Sequence, residues 1–158
     1  MKHMLGARGI LLGSNDTILL VLEQVIPGDD EFWVLPGGRM EAEDGSLAEC
    51  ARREFREETG LTVAVGPLLY VQEFSEPSRQ THHLGVCFMV HNPEGELHQT
   101  PPDVPLLGEE LRRHVRWFTQ TELQTLRVYP EELRNDFWQD RAAGRTQIQY
   151  LGVKHEEG

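Results

Sequence analysis

The chain has 158 residues, 39% hydrophobic and 26% charged, with 15 Lys+Arg against 26 Asp+Glu for a formal charge of −11. That length suits one domain spanning residues 1–158, and the composition is that of a folding chain rather than a disordered one. The acidic balance excludes a surface for wrapping a nucleic-acid polymer or lying on anionic lipid, since both need Lys/Arg stripes, but it admits an anionic small molecule accompanied by divalent cations.

In chain order, Ala7 to Leu12 and Thr17 to Val25 read as strands joined by a turn at Gly13-Ser14-Asn15-Asp16. The longest apolar run, Ile18 to Leu22, is far short of a membrane span. Arg8 interrupts the early apolar stretch, so no signal-peptide core is present and a cytoplasmic protein is expected. Pro27-Gly28-Asp29-Asp30 predicts a loop, and Phe32 to Leu35 a short strand ending at Pro36-Gly37-Gly38. Residues 62–74 and 81–91 are strand-like and are separated by Ser75-Glu76-Pro77-Ser78. His98 to Gly108, with Pro101, Pro102 and Pro105, predicts an exposed irregular loop of the kind that carries function.

Val115 to Phe118 predicts another strand, and Thr121 to Leu126 a short helix capped by Thr121. Pro130 to Ala143 predicts a helix with Pro130 in its first turn and Leu133, Phe137 and Trp138 on one side. Strands interspersed with helices make a mixed α/β (α+β) fold class. Cys50 and Cys87 have neither CxxC nor zinc-ligand spacing, so they are expected to be buried small hydrophobes of a reducing compartment.

The chemistry concentrates between Leu35 and Leu61. Ser46-Leu47-Ala48-Glu49 fits a capping box, and Gly60 can adopt the left-handed conformation that stops a helix, so a helix is predicted from Leu47 to Thr59. Leu47, Cys50, Ala51 and Phe55 would face the core. Glu54, Glu57 and Glu58 fall at i, i+3 and i+4, so their carboxylates share a face and oppose helix formation by roughly 0.2–0.5 kcal/mol per pair. Arg53 lies four residues before Glu57 and can orient it. Three hard oxygen donors, one held by a guanidinium, suit Mg²⁺ or Mn²⁺; the same spacing also describes a solvated charged face with an ordinary ion pair. Gly37-Gly38 directly before the acidic stretch Glu41-Ala42-Glu43-Asp44 permits backbone to approach a ligand or ion closely.

Gly38 followed by Arg53-Glu54-Phe55-Arg56-Glu57-Glu58-Thr59-Gly60-Leu61 resembles the Nudix box, G-x5-E-x7-R-E-U-x-E-E-x-G-U, where U is a bulky apolar residue. The second half matches at every defined position. In the first half, 14 residues separate Gly38 from Arg53 where the pattern has 13, so the box's first Glu falls at Glu43 or Asp44. The resemblance implies a Nudix fold, a mixed β-sheet sandwiched between helices. It also implies a metal-dependent hydrolase that cleaves the diphosphate bond of a nucleoside diphosphate joined to another moiety.

By the same resemblance Glu54, Glu57 and Glu58 are metal ligands together with the Gly38 carbonyl, Arg53 positions Glu57, and Mg²⁺ or Mn²⁺ is the cofactor. A general base is sought in Glu54, or in Glu109 and Glu110 at the end of the proline-rich loop. Pro77 lies 16 residues past Leu61, a spacing similar to that of the proline marker in ADP-ribose-cleaving members. Phe32, Trp33, Tyr70 and Trp117 are candidates to stack on a base, and His82 or His83 to meet a substrate phosphate, with core packing the alternative for each aromatic. Nucleoside triphosphate pyrophosphohydrolysis, a non-catalytic nucleotide sensor and a prenyl diphosphate isomerase are the competing readings. The implied partner is a nucleotide-type small molecule, with a homodimer expected from the resemblance alone.

Overall fold

The computed structural model describes residues 1–23, 31–98 and 114–156. The predicted loops at Pro27–Asp30 and, beyond His98, at residues 99–108 therefore lie outside the described residues, as do Glu109 and Glu110. The chain forms strands β1 (Lys2–Leu11), β2 (Thr17–Glu23), β3 (Phe32–Val34) and β4 (Gly37–Arg39), then helix α1 (Leu47–Thr59). Strands β5 (Leu61–Glu76), β6 (Thr81–Gly95) and β7 (Val115–Thr119) follow, with helix α2 (Gln120–Leu123), strand β8 (Val128–Tyr129), helix α3 (Asp136–Ala142) and strand β9 (Gln149–His155). The mixed α+β class is realised as two mixed sheets, one ordered β4-β1-β6-β5-β9 and the other β7-β2-β3-β8.

The two sheets share a core because β-strand side chains alternate between faces. Ile10, Tyr70 and Cys87 of the larger sheet pack with Ile18, Leu20, Trp33 and Phe118 of the smaller one and with Phe137 and Trp138 of α3. On the opposite face of the larger sheet, Ala7 and Val86 meet Cys50 and Ala51 of α1, and Leu11, Val63 and Val90 meet Phe55. Phe55 is fully buried, and a Cβ at Gly9 would lie 2.8 Å from its ring, so the missing side chain on β1 is what lets α1 settle on the sheet. Burial of such a ring contributes about 1.5–3 kcal/mol. Both cysteines are buried and free.

Several local expectations are corrected. Glu49, expected to reach back to Ser46, instead accepts from the Gly45 amide at 2.8 Å, while Ser46 Oγ accepts from the Glu49 amide at 3.1 Å. Helix α2 is capped by Thr119 rather than Thr121, because Glu122 three residues later completes the reciprocal capping box. The segment from Pro130 to Ala143 is not one helix but a 3-10 turn over Glu131–Leu133 followed by α3. Leu133, Phe137 and Trp138 nevertheless all enter the core. Strand β9 lies where the sequence predicts no element. Among the described residues no helix is long and apolar enough to cross a membrane.

Candidate active site

Helix α1 begins at Ser46, whose backbone is extended and whose hydroxyl caps it, and ends at Gly60, whose φ of 82° turns the chain directly into β5. These two stops, with the buried stripe Cys50, Ala51, Phe55 and Thr59, fix the helix rotation. Arg53, Glu54 and Glu58 are thereby turned toward the β3–β4 connection. β1 pairs with β4 through Ala7 and Gly38 and through Arg8 and Gly37, so the glycine pair is held on the sheet edge beside the helix.

Glu58 accepts from the Gly37 amide at 3.1 Å. Glu54, with 14% of its side chain exposed, lies against Gly38, where a Cβ would sit 2.6 Å from the carboxylate carbon and 2.7 and 2.8 Å from its two oxygens. The Gly38 carbonyl, expected as a ligand, contacts the Cys50 thiol at 3.6 Å. Glu57 turns outward, with 57% of its side chain exposed. Among the described residues no three His, Cys, Asp or Glu side chains are gathered into a ready-made metal cage.

Arg53 draws the carboxylates together. Its Nε and Nη2 each donate to Asp44 at 2.8 Å, Nη1 donates to Glu54 at 3.1 Å and lies 3.3 Å from Glu57, and Nη2 also reaches the Arg39 carbonyl at 3.0 Å. Of the two residues that could occupy the box's first acidic position, Asp44 makes this two-pronged contact and Glu43 is exposed. The turn from Glu41 to Asp44 closes through the Asp44 amide to the Glu41 carbonyl at 3.0 Å and the Glu41 amide to the Asp44 carboxylate at 2.9 Å, which absorbs the additional residue.

The electrostatics divide the acidic groups into two kinds. The hydrogen bonds from Arg53, and then from the Glu41 amide, hold the Asp44 carboxyl down at about 2. Burial pushes Glu58 up to about 7, against the lowering effects of Arg8 and the Gly37 amide. Asp44 is thus a permanent anion already matched by a cation, whereas Glu58 is a partly buried carboxylate short of positive charge. Hard oxygens in that state, beside a glycine pair in β4 that leaves room only for backbone, fit a divalent cation.

The remaining sequence candidates lie apart from this cluster. Pro77 opens the 3-10 turn over Pro77–Arg79 between β5 and β6, at the end of the sheet where Thr81 pairs with Lys2. That is five positions along β1 from the Ala7–Gly38 pair, about 16 Å at the usual strand rise. His83 pairs with Glu76 at 3.0 Å and is opposite in alternation to Val86, which faces α1. His82 bonds Glu73 at 2.7 Å, and Glu73 also accepts from the Tyr150 hydroxyl.

Trp33 is in the core, 4.7 Å from the Phe118 ring with Arg116 stacked on it at 5.5 Å, and Tyr70 is 1% exposed. Trp117 is partly buried against the Phe55 cluster. Phe32 meets Tyr129 edge-on at 5.5 Å with Arg127 over both rings. Arg8, which the sequence shows only as a charge interrupting an apolar stretch, lies beside the acidic cluster, paired in register with Gly37. Its Nη1 donates to the Leu35 carbonyl at 2.6 Å, a contact between residues 27 apart that no local pattern encodes.

Comparison with known proteins matches residues 2–138 to the family described as the NUDIX domain. Among solved structures, the E. coli ORF135 protein is similar with a TM-score of 0.69 at 21% identity, over 93% of this chain and 96% of that one. A MutT protein from Bacillus halodurans gives 0.66 at 24% identity, over 96% and 89%. An ADP-ribose pyrophosphatase from Streptococcus suis gives 0.55 at 17% identity, over 96% and 98%. At these identities the likeness is one of fold.

Proposed function

Because this chain belongs to the Nudix family, we propose that this pyrophosphohydrolase uses Mg²⁺ or Mn²⁺ to hydrolyse the diphosphate bond of a nucleoside diphosphate joined to another moiety, such as ADP-ribose. What supports the reading above all is the placement of Glu54 and Glu58, from one face of α1, against the Gly37–Gly38 pair of β4, with Arg53 drawing in Glu57. Such a site takes a hard cation through a few carboxylates and leaves its other positions to water and substrate phosphate.

Glu54, Glu57 and Glu58 would hold the ion. When bound, it neutralises diphosphate oxygens and makes water acidic enough to serve as a nucleophile near neutral pH. The protein's share is positioning, which dominates phosphoryl chemistry. Asp44 fixes Arg53, Arg53 fixes Glu54 and Glu57, and the Gly37 amide fixes Glu58. The alternative role for Glu54, in place of a metal ligand, is to take the proton from the attacking water while Arg53 holds it in position. A protein of charge −11 binds an anionic substrate in this way because the cation bridges the two.

The test is a panel of ADP-ribose, UDP-glucose and nucleoside triphosphates with Mg²⁺ or Mn²⁺. Release of nucleoside monophosphate from a diphosphate-linked compound is expected. Faster release of pyrophosphate from a nucleoside triphosphate would favour the MutT-like alternative, and binding without turnover of any compound would point to a sensor. A cytoplasmic location and a homodimer belong to the same reading, the latter checked by light scattering.

A further inference from the structure

Among the described residues of the site, one cation has a fork that is nearly uncommitted. Arg53 is engaged by Asp44, Glu54, Glu57 and the Arg39 carbonyl. Arg8, half-buried on β1, makes a single hydrogen bond among the described residues, from Nη1 to the Leu35 carbonyl at 2.6 Å, and no ion pair there. Its stem is locked. It pairs in register with Gly37, and a Cβ on Gly37 would fall 2.4 Å from Arg8 Cγ and 2.6 Å from its Cα, so the glycine's bare backbone lies directly on the side chain. The amide of that same Gly37 donates to Glu58.

A guanidinium carries five N–H donors in a planar fork. With one Nη1–H spent on Leu35, the rest of the fork makes no ion pair among the described residues, though its charge is felt by Glu58 on the acidic helix. Keeping a half-buried guanidinium that meets Glu58 only at a distance is costly unless an anion arrives to bond its remaining N–H groups. The carbonyl anchor also removes part of the rotamer entropy that a free arginine would lose on binding.

We propose that Arg8 is a substrate-binding residue, donating from its free N–H groups to a non-bridging oxygen of the substrate's diphosphate while its anchored nitrogen holds the Leu35–Gly37 turn in place. The proposal rests on the reading of the protein as a pyrophosphohydrolase and assigns it an anion-gripping residue outside the acidic helix and its box motif. The chemistry selected is a pair of phosphoryl oxygens sharing negative charge, which a two-pronged fork meets better than a point charge does.

Calorimetric binding of inorganic pyrophosphate in Mg²⁺, together with KM and kcat for the best compound of the substrate panel, tests this in the unaltered protein, Arg8→Lys and Arg8→Met. Arg8→Met should weaken pyrophosphate binding and raise KM by roughly tenfold to a hundredfold, with kcat changed much less. Arg8→Lys, which keeps the charge and loses the fork, should fall between. Thermal melts of all three show whether the variants stay folded. Unaltered pyrophosphate affinity and KM in both variants would overturn the proposal, as would a loss confined to Tm and kcat, since Arg8 would then only brace the turn. If the unaltered protein turns over no compound, the functional reading fails, yet pyrophosphate binding lost in Arg8→Met would still support the grip; no pyrophosphate binding by the unaltered protein would overturn it.

Discussion

Asp44 clasps Arg53 through two 2.8 Å contacts, and only 4% of its side chain is exposed while doing so. The residue that organises the acidic helix is therefore held from a loop nine positions earlier in the chain. Asp44→Asn removes the anion but keeps the shape. Turnover is expected to fall by about ten- to a hundredfold, because Arg53 would no longer be pinned and Glu54 and Glu57 would shift. Steady-state kinetics at saturating metal check this, and an unchanged kcat would show that Arg53 orients itself. With its carboxyl held near 2, the clasp contributes stability above the ordinary carboxylate pKa, and that contribution is lost as pH falls toward 2.

Glu57→Gln and Glu58→Gln should each reduce turnover by orders of magnitude, while fold stability without metal stays similar or rises as carboxylate repulsion is relieved. Turnover at the unaltered rate in both variants would remove these residues from the metal site.

Glu58 also sets a pH dependence. A carboxyl whose folded pKa is raised from 4.5 to about 7 favours the folded state most below pH 4.5, and that advantage is lost as pH rises through about 7. In chelator, denaturant midpoints should decline between pH 5 and 8, and this component should vanish in Glu58→Gln. Millimolar Mg²⁺ or Mn²⁺ should restore more stability at pH 8 than at pH 5, since binding needs the ionised carboxylate. Equal metal stabilisation at the two pH values would contradict this.

The two adjacent glycines should respond differently to alanine. At Gly38 the added methyl meets the end of the Glu54 side chain, which can swing away, so Gly38→Ala should stay folded and lose activity. At Gly37 it meets the Ala7 carbonyl at 2.3 Å and the Arg8 Cα at 2.6 Å, so Gly37→Ala should lower stability by several kcal/mol. Thermal melts run alongside activity assays separate the two, and a reversed order would contradict the β1–β4 contact.

The Tyr70 hydroxyl is buried with no hydrogen-bond partner among the described residues. Tyr70→Phe should therefore be neutral or stabilising by up to about 1 kcal/mol, because it removes an unsatisfied polar atom and keeps the ring. A loss of more than that in denaturant titration would mean that the hydroxyl is bonded to ordered water.

The acidic helix was legible in the sequence because its signals are local. Ser46, Gly60 and the stripe through Phe55 set its ends and rotation within one segment. The clasp was legible only as a choice between Glu43 and Asp44, since which one faces Arg53 depends on how the turn from Glu41 folds. Arg8 reads simply as a charge interrupting a strand until β4 is laid beside β1. Trp33 has the composition of a base-stacking residue, yet its alternation in β3 turns it toward Phe118. Strand β9 was missed because Tyr150, Leu151 and Val153 do not alternate and a glycine at φ 85° sits in its middle, so its strand character comes from pairing with β5 rather than from its own pattern.

That last strand has a bearing on biosynthesis. It emerges from the ribosome after every other strand of its sheet, and until it docks, the Tyr70–Ser75 stretch of β5 offers the cell a bare flank of amide and carbonyl groups. The Tyr150–Glu73 and Glu156–Ser78 hydrogen bonds act as latches once it arrives. A chain cut short near residue 145 would keep its acidic helix but become prone to clumping, so damage at this end would be felt first as lost soluble yield rather than as lost chemistry.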